Sequence, residues 1–306
     1  MRMPVGRSGV DRLVLDFYGL LEQPFGATPD PRFTYLAGSY REALASICVG
    51  LQAGHGLLAL IAPPGLGKTM VLFHLIEHLR RSTRTAFLFH TRCDDRGLLR
   101  QIIAQLGGST DRHDVVALHG ALQAILLQEA RLGRRVVLII DEAHNLSAPV
   151  LETVRLLSDF ETSTRKLLQI VVAGQPALAQ RLIEPELAAL TQRISTVARI
   201  GPLTESETLA YVKHRFKVGG RVDADLVDQH ALRLVARAAK GVPREINTVL
   251  SSALHLGCAV GSQSIGSDVI EEVLHDRDLR PLCTAAAGDT PALAPGRPPL
   301  SVACAV

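Results

Sequence analysis

The stretch Ala62-Pro63-Pro64-Gly65-Leu66-Gly67-Lys68-Thr69 decides the fold, and it lies between a short apolar run and an amphipathic segment. Successive backbone N–H groups can wrap around a phosphate only where side chains at the turn are small or absent, as at Gly65 and Gly67. A helix that begins near Lys68 points its positive end at the same phosphates. We therefore predict a phosphate-binding loop whose contacts with a nucleotide extend from Pro63 to Met70.

Two side chains of this loop bring chemistry of their own. Lys68 can reach the β- and γ-phosphates of a nucleoside triphosphate, and the Thr69 hydroxyl can ligate Mg²⁺. Ala62 replaces the first glycine of the usual pattern, which does not block phosphate binding. The alternative is an ordinary Gly/Pro turn, but few such turns end in Gly-Lys-Thr at the start of an amphipathic helix. The loop predicts ATP and Mg²⁺ as ligands.

A second apolar run, residues 136–140, ends in the pair Asp141-Glu142 followed by Ala and His144. Ligands of open parallel sheets bind at the carboxyl ends of strands, so Asp141 is expected beside the phosphate loop, where it holds Mg²⁺. Glu142 is then placed to orient or deprotonate the attacking water. Such a pair in isolation is more often a solvated loop or a helix cap, and the phosphate loop favours the catalytic interpretation. His144 either contacts a phosphate-sensing residue or is structural.

Strands and helices alternate up to residue 200, which predicts an α/β fold with a three-layer parallel sheet. Apolar runs predict strands at 57–61, 86–89, 136–140 and 167–173. After Leu203 only helical patterns follow, beginning with a capping box of Thr204 and Glu207. Helicases also carry Asp-Glu-Ala-His, but they need a second strand-helix domain of similar size, and the helical pattern argues against one.

Four regions follow from this organisation. Residues 1–38 form an N-terminal extension whose Pro-, Gly- and aromatic-rich part is not expected to be a regular element. Ser39 with Glu42 predicts the capped start of a helix to residue 53, within a nucleotide-binding core at 39–203. An all-helical lid domain is predicted at 204–280. The Ala- and Pro-rich residues 281–306 are predicted to be disordered.

Further candidates for the site come from strand ends and helix starts. Gln175 follows a strand expected to lie between those of the phosphate loop and the acid pair. It therefore touches the γ-phosphate or the attacking water, or it is a turn residue. An arginine supplied by a neighbouring subunit commonly stabilises charge in phosphoryl transfer. Arg193 is the first candidate and Arg199 the second, with a surface role as the alternative for each. Arg244, in the first turn of a lid helix, is expected to project toward the nucleotide or to be exposed.

Composition excludes several classes of protein. The net charge of +3 is too small to indicate nucleic-acid binding by itself, and the five cysteines show no zinc-binding spacing. The first residues lack the apolar core of a signal peptide, and no apolar run is long enough to span a bilayer. We expect a cytoplasmic protein that reaches the inner membrane only through a partner.

With these residues in view, the chain resembles the AAA+ ATPases of the ExeA family, which assist type II secretion. It also resembles related ATPases of exopolysaccharide or exosortase loci and the TnsC-like transposition regulators. The resemblance covers about residues 16–275 and is strongest in two places. These are the opening segment, with Phe17-Tyr-Gly-Leu, Pro24-Phe25, Thr28-Pro-Asp-Pro-Arg-Phe33 and Arg41-Glu-Ala-Leu44, and the later Gly241-Val-Pro-Arg-Glu-Ile-Asn247.

The resemblance implies an AAA+ P-loop ATPase with a helical lid, which acts as a homo-oligomer with an arginine supplied in trans. It also implies that the opening segment packs near the adenine, with Pro24, Phe25 and Tyr40 close to the base. ExeA-type secretion proteins continue into a membrane span and a peptidoglycan-binding domain that these residues do not contain, so the cellular role is not implied.

Three functions are compatible with this reading. The first is an ATP-hydrolysing motor or assembly factor of a secretion- or exopolysaccharide-type system with a protein partner. The second is an ATP-dependent DNA-binding regulator of the TnsC type. The third is a switch that binds nucleotide without hydrolysing it, against which the presence of Glu142 argues.

Overall fold

The computed structural model describes residues 9–26, 28, 30–80, 83–89, 93–109, 114–221 and 226–285. It divides into two compact units, Leu36–Gly201 and Met1–Tyr35 together with Pro202–Val306. In chain order the elements are α1 (Gly9–Tyr18), α2 (Gly38–Gln52), β1 (Leu57–Ile61), α3 (Lys68–Leu79), β2 (Thr83–Leu88), α4 (Asp95–Gln105), α5 (Val115–Arg131), β3 (Arg135–Ile140), α6 (Ala148–Leu157), β4 (Leu168–Gly174), α7 (Pro176–Leu182), α8 (Ala188–Arg193), β5 (Ile194–Arg199), α9 (Glu205–Val218), α10 (Gln229–Ala239), α11 (Pro243–Ala259) and α12 (Ser267–Ala285).

The described part of Leu36–Gly201 is built on a five-stranded parallel sheet in the order β2-β3-β4-β1-β5. Strands β1 and β4 are buried at every residue, which requires apolar side chains on both faces. Alternate residues Leu57, Ala59 and Ile61 join one core with α4, α5 and α6. On the other face α2 comes so near that a Cβ at Gly50 would lie 2.4 Å from the Leu58 side chain. The three-layer arrangement is confirmed.

The position of β4 decides where the site forms. As predicted, this strand lies between β1 and β3, with Gly174 opposite Ile61 and Val172 opposite Ile140. The carboxyl ends of all three strands therefore meet at one edge of the sheet. The residues that follow them are brought together there, although they are far apart in the sequence.

Three local expectations were wrong. Residues 194–199 form a strand, β5, that the pattern did not predict. Residues 9–18 form α1, although the segment from residue 13 onward was not expected to be regular. The cap of α2 is Ala37, and the Ser39 hydroxyl instead donates to the Gly201 carbonyl at 3.3 Å.

The helical unit begins with the predicted capping box. The Thr204 hydroxyl accepts from the Glu207 N–H at 3.2 Å, and the Glu207 carboxylate accepts from the Thr204 N–H at 2.9 Å. Helix α12 extends to Ala285, five residues into the segment predicted to be a disordered tail. The remainder of that segment, 286–306, lies outside the described residues.

The described part of the N-terminal segment packs within the helical unit. The Phe25 ring meets Phe216 of α9 edge-on at 5.0 Å, and the Tyr18 hydroxyl donates to the Ser262 carbonyl at 3.1 Å. The buried guanidinium of Arg215 donates to the Pro24 carbonyl and lies 4.9 Å from the centre of the Phe33 ring. Buried polar groups need such partners, so these contacts hold the segment on α9.

Gly241 is the glycine of the helical unit whose replacement we expect to cost most. Its φ is 69°, and an added Cβ would lie 2.0 Å from the Leu203 carbonyl oxygen. Gly241→Ala is expected to lower the free energy of unfolding by about 3 kcal/mol or more, since strain and a backbone clash add. Denaturant melts followed by circular dichroism measure this loss.

Gly261→Ala is the matched control, because Gly261 has a φ of 72° and nothing within 4 Å of an added Cβ. It carries only the left-handed backbone cost, about 1–2 kcal/mol. Equal losses in the two variants would contradict the packing at Gly241.

Candidate functional site

The loop between β1 and α3 has the backbone that phosphate binding needs. Gly65 and Gly67 both have φ of 82°, in the left-handed region that favours glycine. The Ala62 N–H donates to the Gly174 carbonyl at 3.0 Å, which ties the start of the loop to β4. An added Cβ at Gly67 would lie 3.5 Å from the buried Tyr40 ring. The loop ends where α3 begins, at Lys68.

Lys68, Thr69 and the acid pair converge at this edge of the sheet. The Thr69 hydroxyl donates to Asp141 Oδ2 at 2.9 Å. The Lys68 ammonium contacts Asp141 Oδ1 and donates to Glu142 Oε1 at 2.5 Å. Lys68 is 7% exposed and Asp141 3% exposed, so these charges face each other away from solvent. One cation thus faces two carboxylates, of which Asp141 is buried with it.

The backbone after β3 holds the two acids in different directions. The Asp141 N–H donates to the Leu88 carbonyl at 2.9 Å, which continues the pairing of β3 with β2. Asp141 Oδ1 also accepts from the Glu142 N–H at 2.8 Å. Glu142 has a φ of 52°, a left-handed conformation that costs on the order of 1–3 kcal/mol in a residue with a side chain. Its side chain is about one-third exposed.

Among the described residues, the contacts of the Glu142 carboxylate include Lys68, Gln175 and His144. Beside the Lys68 contact, Gln175 Nε2 donates to Oε2 at 3.3 Å, and His144 Nε2 lies 3.4 Å from the same oxygen. Burial alone would raise the pKa of Glu142, but the hydrogen bond and charge of Lys68, with Gln175 and His144, lower it below its ordinary value. Glu142 is therefore an ionised carboxylate at neutral pH.

The oxygen atoms at this place suit Mg²⁺. Thr69 Oγ1 and Asp141 Oδ2 are hard ligands that lie next to each other, and the phosphate loop adjoins them. The described residues contain no group of three or more His, Cys, Asp or Glu placed to hold a metal ion. A metal ion held by Thr69 and Asp141 would take its other ligands from phosphate and water, as Mg²⁺ commonly does.

The remaining predicted residues lie apart from this cluster or in the other unit. Arg193, at the end of α8, forms an ion pair with Asp159 of its own chain. Arg199 is the exposed last residue of β5. Arg244 is exposed in the first turn of α11, and Pro24 and Phe25 pack against α9. Their contacts with a nucleotide remain predictions.

Arg181 supports the site and carried no signal in the sequence. Its Nη1 donates to the carbonyls of His144 and Leu146, at 2.8 and 2.5 Å. It therefore fixes the turn that follows Glu142. The residues are 35 and 37 positions apart, so no local pattern joins them.

Residues 51–182 match the family described as AAA domain. The Drosophila ORC bound to DNA has a TM-score of 0.65 at 18% identity, with 95% of this chain and 72% of that chain covered. The Aeropyrum pernix ORC2 protein, in ADPNP-ADP complexes, has a TM-score of 0.63 at 16% identity, with 84% and 72% covered. This fold is that of the AAA+ P-loop NTPases.

General secretion pathway protein A of Aeromonas hydrophila is 36% identical to this chain over 250 residues. The match covers 81% of this chain, so the resemblance to ExeA-like AAA+ ATPases is confirmed. The chain spans about half the length of that relative, 46%. Within the described residues, no helix combines the length and the apolarity that crossing a bilayer requires.

Proposed function

We propose that this AAA+ protein binds ATP with Mg²⁺ and hydrolyses it to ADP and phosphate. The observation that carries the proposal is the convergence of Lys68 and Thr69 with Asp141 and Glu142 at the carboxyl edge of the sheet. A lysine, a hydroxyl and two acids at the mouth of a glycine loop are the groups that triphosphate chemistry requires.

Each residue has a distinct part in this proposal. The backbone N–H groups of residues 65–69 and the Lys68 ammonium bind the β- and γ-phosphates. Thr69 and Asp141 hold Mg²⁺, which neutralises phosphate charge when it is bound. The ionised Glu142 orients the attacking water and takes its proton. Gln175 orients that water or the γ-phosphate from the end of β4.

The similarity to General secretion pathway protein A supports an oligomeric motor or assembly factor of a secretion-type system. In this proposal the protein acts in the cytoplasm and meets the inner membrane through a protein partner. Arg193 or Arg199 of one subunit completes the site of the next. Arg193 must leave its ion pair with Asp159 to do so, whereas Arg199 is already exposed.

The test is ATP turnover by the full chain, measured as phosphate release with Mg²⁺ and with a chelator. We expect turnover that needs Mg²⁺ and a rate per subunit that rises with protein concentration, because the arginine comes from a neighbour. Arg193→Ala and Arg199→Ala, assayed side by side, identify that arginine.

Two results would contradict this proposal. ATP binding without turnover at any protein concentration would exclude hydrolysis and favour a switch that binds nucleotide without hydrolysing it. Full activity in a solution shown by light scattering to contain only monomers would refute the trans arginine. Turnover that appears only with double-stranded DNA would instead favour the DNA-dependent regulator.

A further inference from the structure

His144 is the polar residue of the site for which the proposed chemistry has no part. Its side chain is 14% exposed and lies between two other members of the site. Nδ1 faces the backbone N–H of Gln175 at 3.5 Å, and Nε2 faces Glu142 Oε2 at 3.4 Å. The ring therefore spans the distance from the end of β4 to the hydrolytic carboxylate.

The partners of the ring determine which nitrogen carries the proton. A backbone N–H can only donate, so the Nδ1 that faces Gln175 must be the acceptor. In the neutral imidazole the proton then resides on Nε2, which is the nitrogen that faces the Glu142 carboxylate. The two contacts are thus compatible with one tautomer, in which the ring accepts from β4 and donates to Glu142.

The two oxygens of Glu142 are held by different groups. Oε1 accepts from Lys68, whereas Oε2 is contacted by Gln175 and His144. In the proposed function, the Lys68 ammonium also binds the phosphates. A carboxylate held by Lys68 alone would lose its orientation when the ammonium engages a phosphate. The contacts at Oε2 do not depend on Lys68.

We propose that His144 is a positioning residue that couples the end of β4 to Glu142 and keeps this carboxylate oriented while Lys68 binds phosphate. The inference rests on the proposed function, since orientation of Glu142 is significant only for hydrolysis. His144 touches neither the phosphates nor the water in this scheme, and it acts through Glu142.

The surroundings of His144 are built to keep the ring in place. Arg181 Nη1 donates to the His144 carbonyl at 2.8 Å. The end of β4 approaches closely because Gly174 has no side chain. An added Cβ there would lie 3.4 Å from the His144 backbone nitrogen and 2.8 Å from the Leu178 side chain. These contacts fix the turn that carries His144. They also fix the end of β4, whose following residue, Gln175, contacts the ring.

Three substitutions separate the two contacts of the ring. In His144→Gln the longer amide reaches the place of Nε2 and still donates to Glu142. In His144→Asn the shorter amide reaches only the place of Nδ1 and faces Gln175. His144→Ala removes both contacts. Asn and Gln are alike in polarity, so a difference between those two variants reports on geometry rather than on general disturbance of the fold.

We expect His144→Ala and His144→Asn to lower kcat by about 10- to 100-fold, the range for groups that orient a reactive residue. The Kd for ATP, measured with a fluorescent analogue, is expected to stay within about twofold, since His144 does not contact the phosphates. His144→Gln is expected to recover most of kcat. Equal losses in the Gln and Asn variants, or a loss of ATP affinity as large as the loss of kcat, would overturn the proposal.

A second measurement does not depend on hydrolysis. Nitrogen-15 NMR of the full chain without nucleotide reports the tautomer of each histidine, and the signals missing from His144→Gln assign His144. We expect that, in the neutral form of the ring, the proton lies on Nε2. A neutral ring with its proton on Nδ1 would refute the inferred contacts. Should the wild type lack ATP turnover, the proposed function fails, while the tautomer still decides whether His144 donates to Glu142.

Discussion

Lys68→Ala is expected to raise the Kd for ATP by about 100-fold or more, which corresponds to about 2.7 kcal/mol. The lysine ammonium is the buried positive charge of the site, so its loss removes charge-assisted hydrogen bonds to the phosphates. It also leaves the buried Asp141 carboxylate beside Glu142 without their shared cation. Titration of a fluorescent ATP analogue in the presence of Mg²⁺ measures the affinity.

The control for this variant must separate lost binding from lost stability. Breaking a buried ion pair costs about 3–5 kcal/mol, so Lys68→Ala is also expected to melt at a lower temperature. Lys166→Ala provides the comparison, because Lys166 is a half-buried lysine paired with Glu161 away from the site. Binding is measured at a temperature where both variants remain folded by circular dichroism. An unchanged Kd for ATP in folded Lys68→Ala would refute the prediction that this loop binds the phosphates.

Glu142→Gln is expected to lower kcat by about 100-fold or more, the lower end of what general bases contribute. The amide has nearly the size of the carboxylate and can still meet Gln175, but it cannot take a proton from water. ATP affinity is expected to be retained, because the phosphate contacts of Lys68 and the loop are unaltered. Phosphate release and analogue binding, measured on the same preparation, test both expectations.

Glu152→Gln is the matched control for the chemistry of the substitution. Glu152 is an acid on α6 of the same unit, half exposed and paired with Arg155 at 2.8 Å. The Glu152→Gln variant is expected to hydrolyse ATP at the rate of the wild type. Turnover by Glu142→Gln within a few-fold of that rate would show that Glu142 is not the general base. The proposed roles of Thr69 and Asp141 as metal ligands would be unaffected.

The central sheet was predictable because burial on both faces leaves continuous apolar runs. Strands β1, β3 and β4 appear within one residue of their predicted ranges. Edge strand β5 was not predictable in this way, since Ile194–Arg199 alternates exposed with more buried positions and contains polar residues. A strand with one open face has half the apolar content of a central one.

The N-terminal helix was missed for a different reason. Its buried face consists of Val14, Leu15 and Tyr18, but Val10 and Leu13 are apolar and exposed. The Pro-, Gly- and aromatic-rich composition that indicated irregular structure belongs mainly to residues after Tyr18, which lie outside α1. The predicted cap at Ser39 was wrong because its hydroxyl donates to the Gly201 carbonyl. This partner is 162 residues away, so no local pattern contains it.

The site was predictable to the extent that it depends on strand order. Thr69 and Asp141 meet because both follow parallel strands that end at one edge, and Gln175 follows the strand between them. Contacts set by tertiary packing were not foreseen, among them the ion pair of Arg193 with Asp159. This pair arises because the turn after α6 lies near the end of α8, a proximity that no local spacing encodes.

The division of the chain has a consequence for how it is made. Leu36–Gly201 is one uninterrupted stretch, whereas the helical unit is assembled from both ends of the sequence. Tyr18 and its partner Ser262 are 244 residues apart. At roughly 5–20 residues per second, translation separates them by on the order of 10 to 50 seconds. We expect the Leu36–Gly201 unit to fold on the ribosome first. During that time the apolar face of α1 remains unburied and accessible to chaperones.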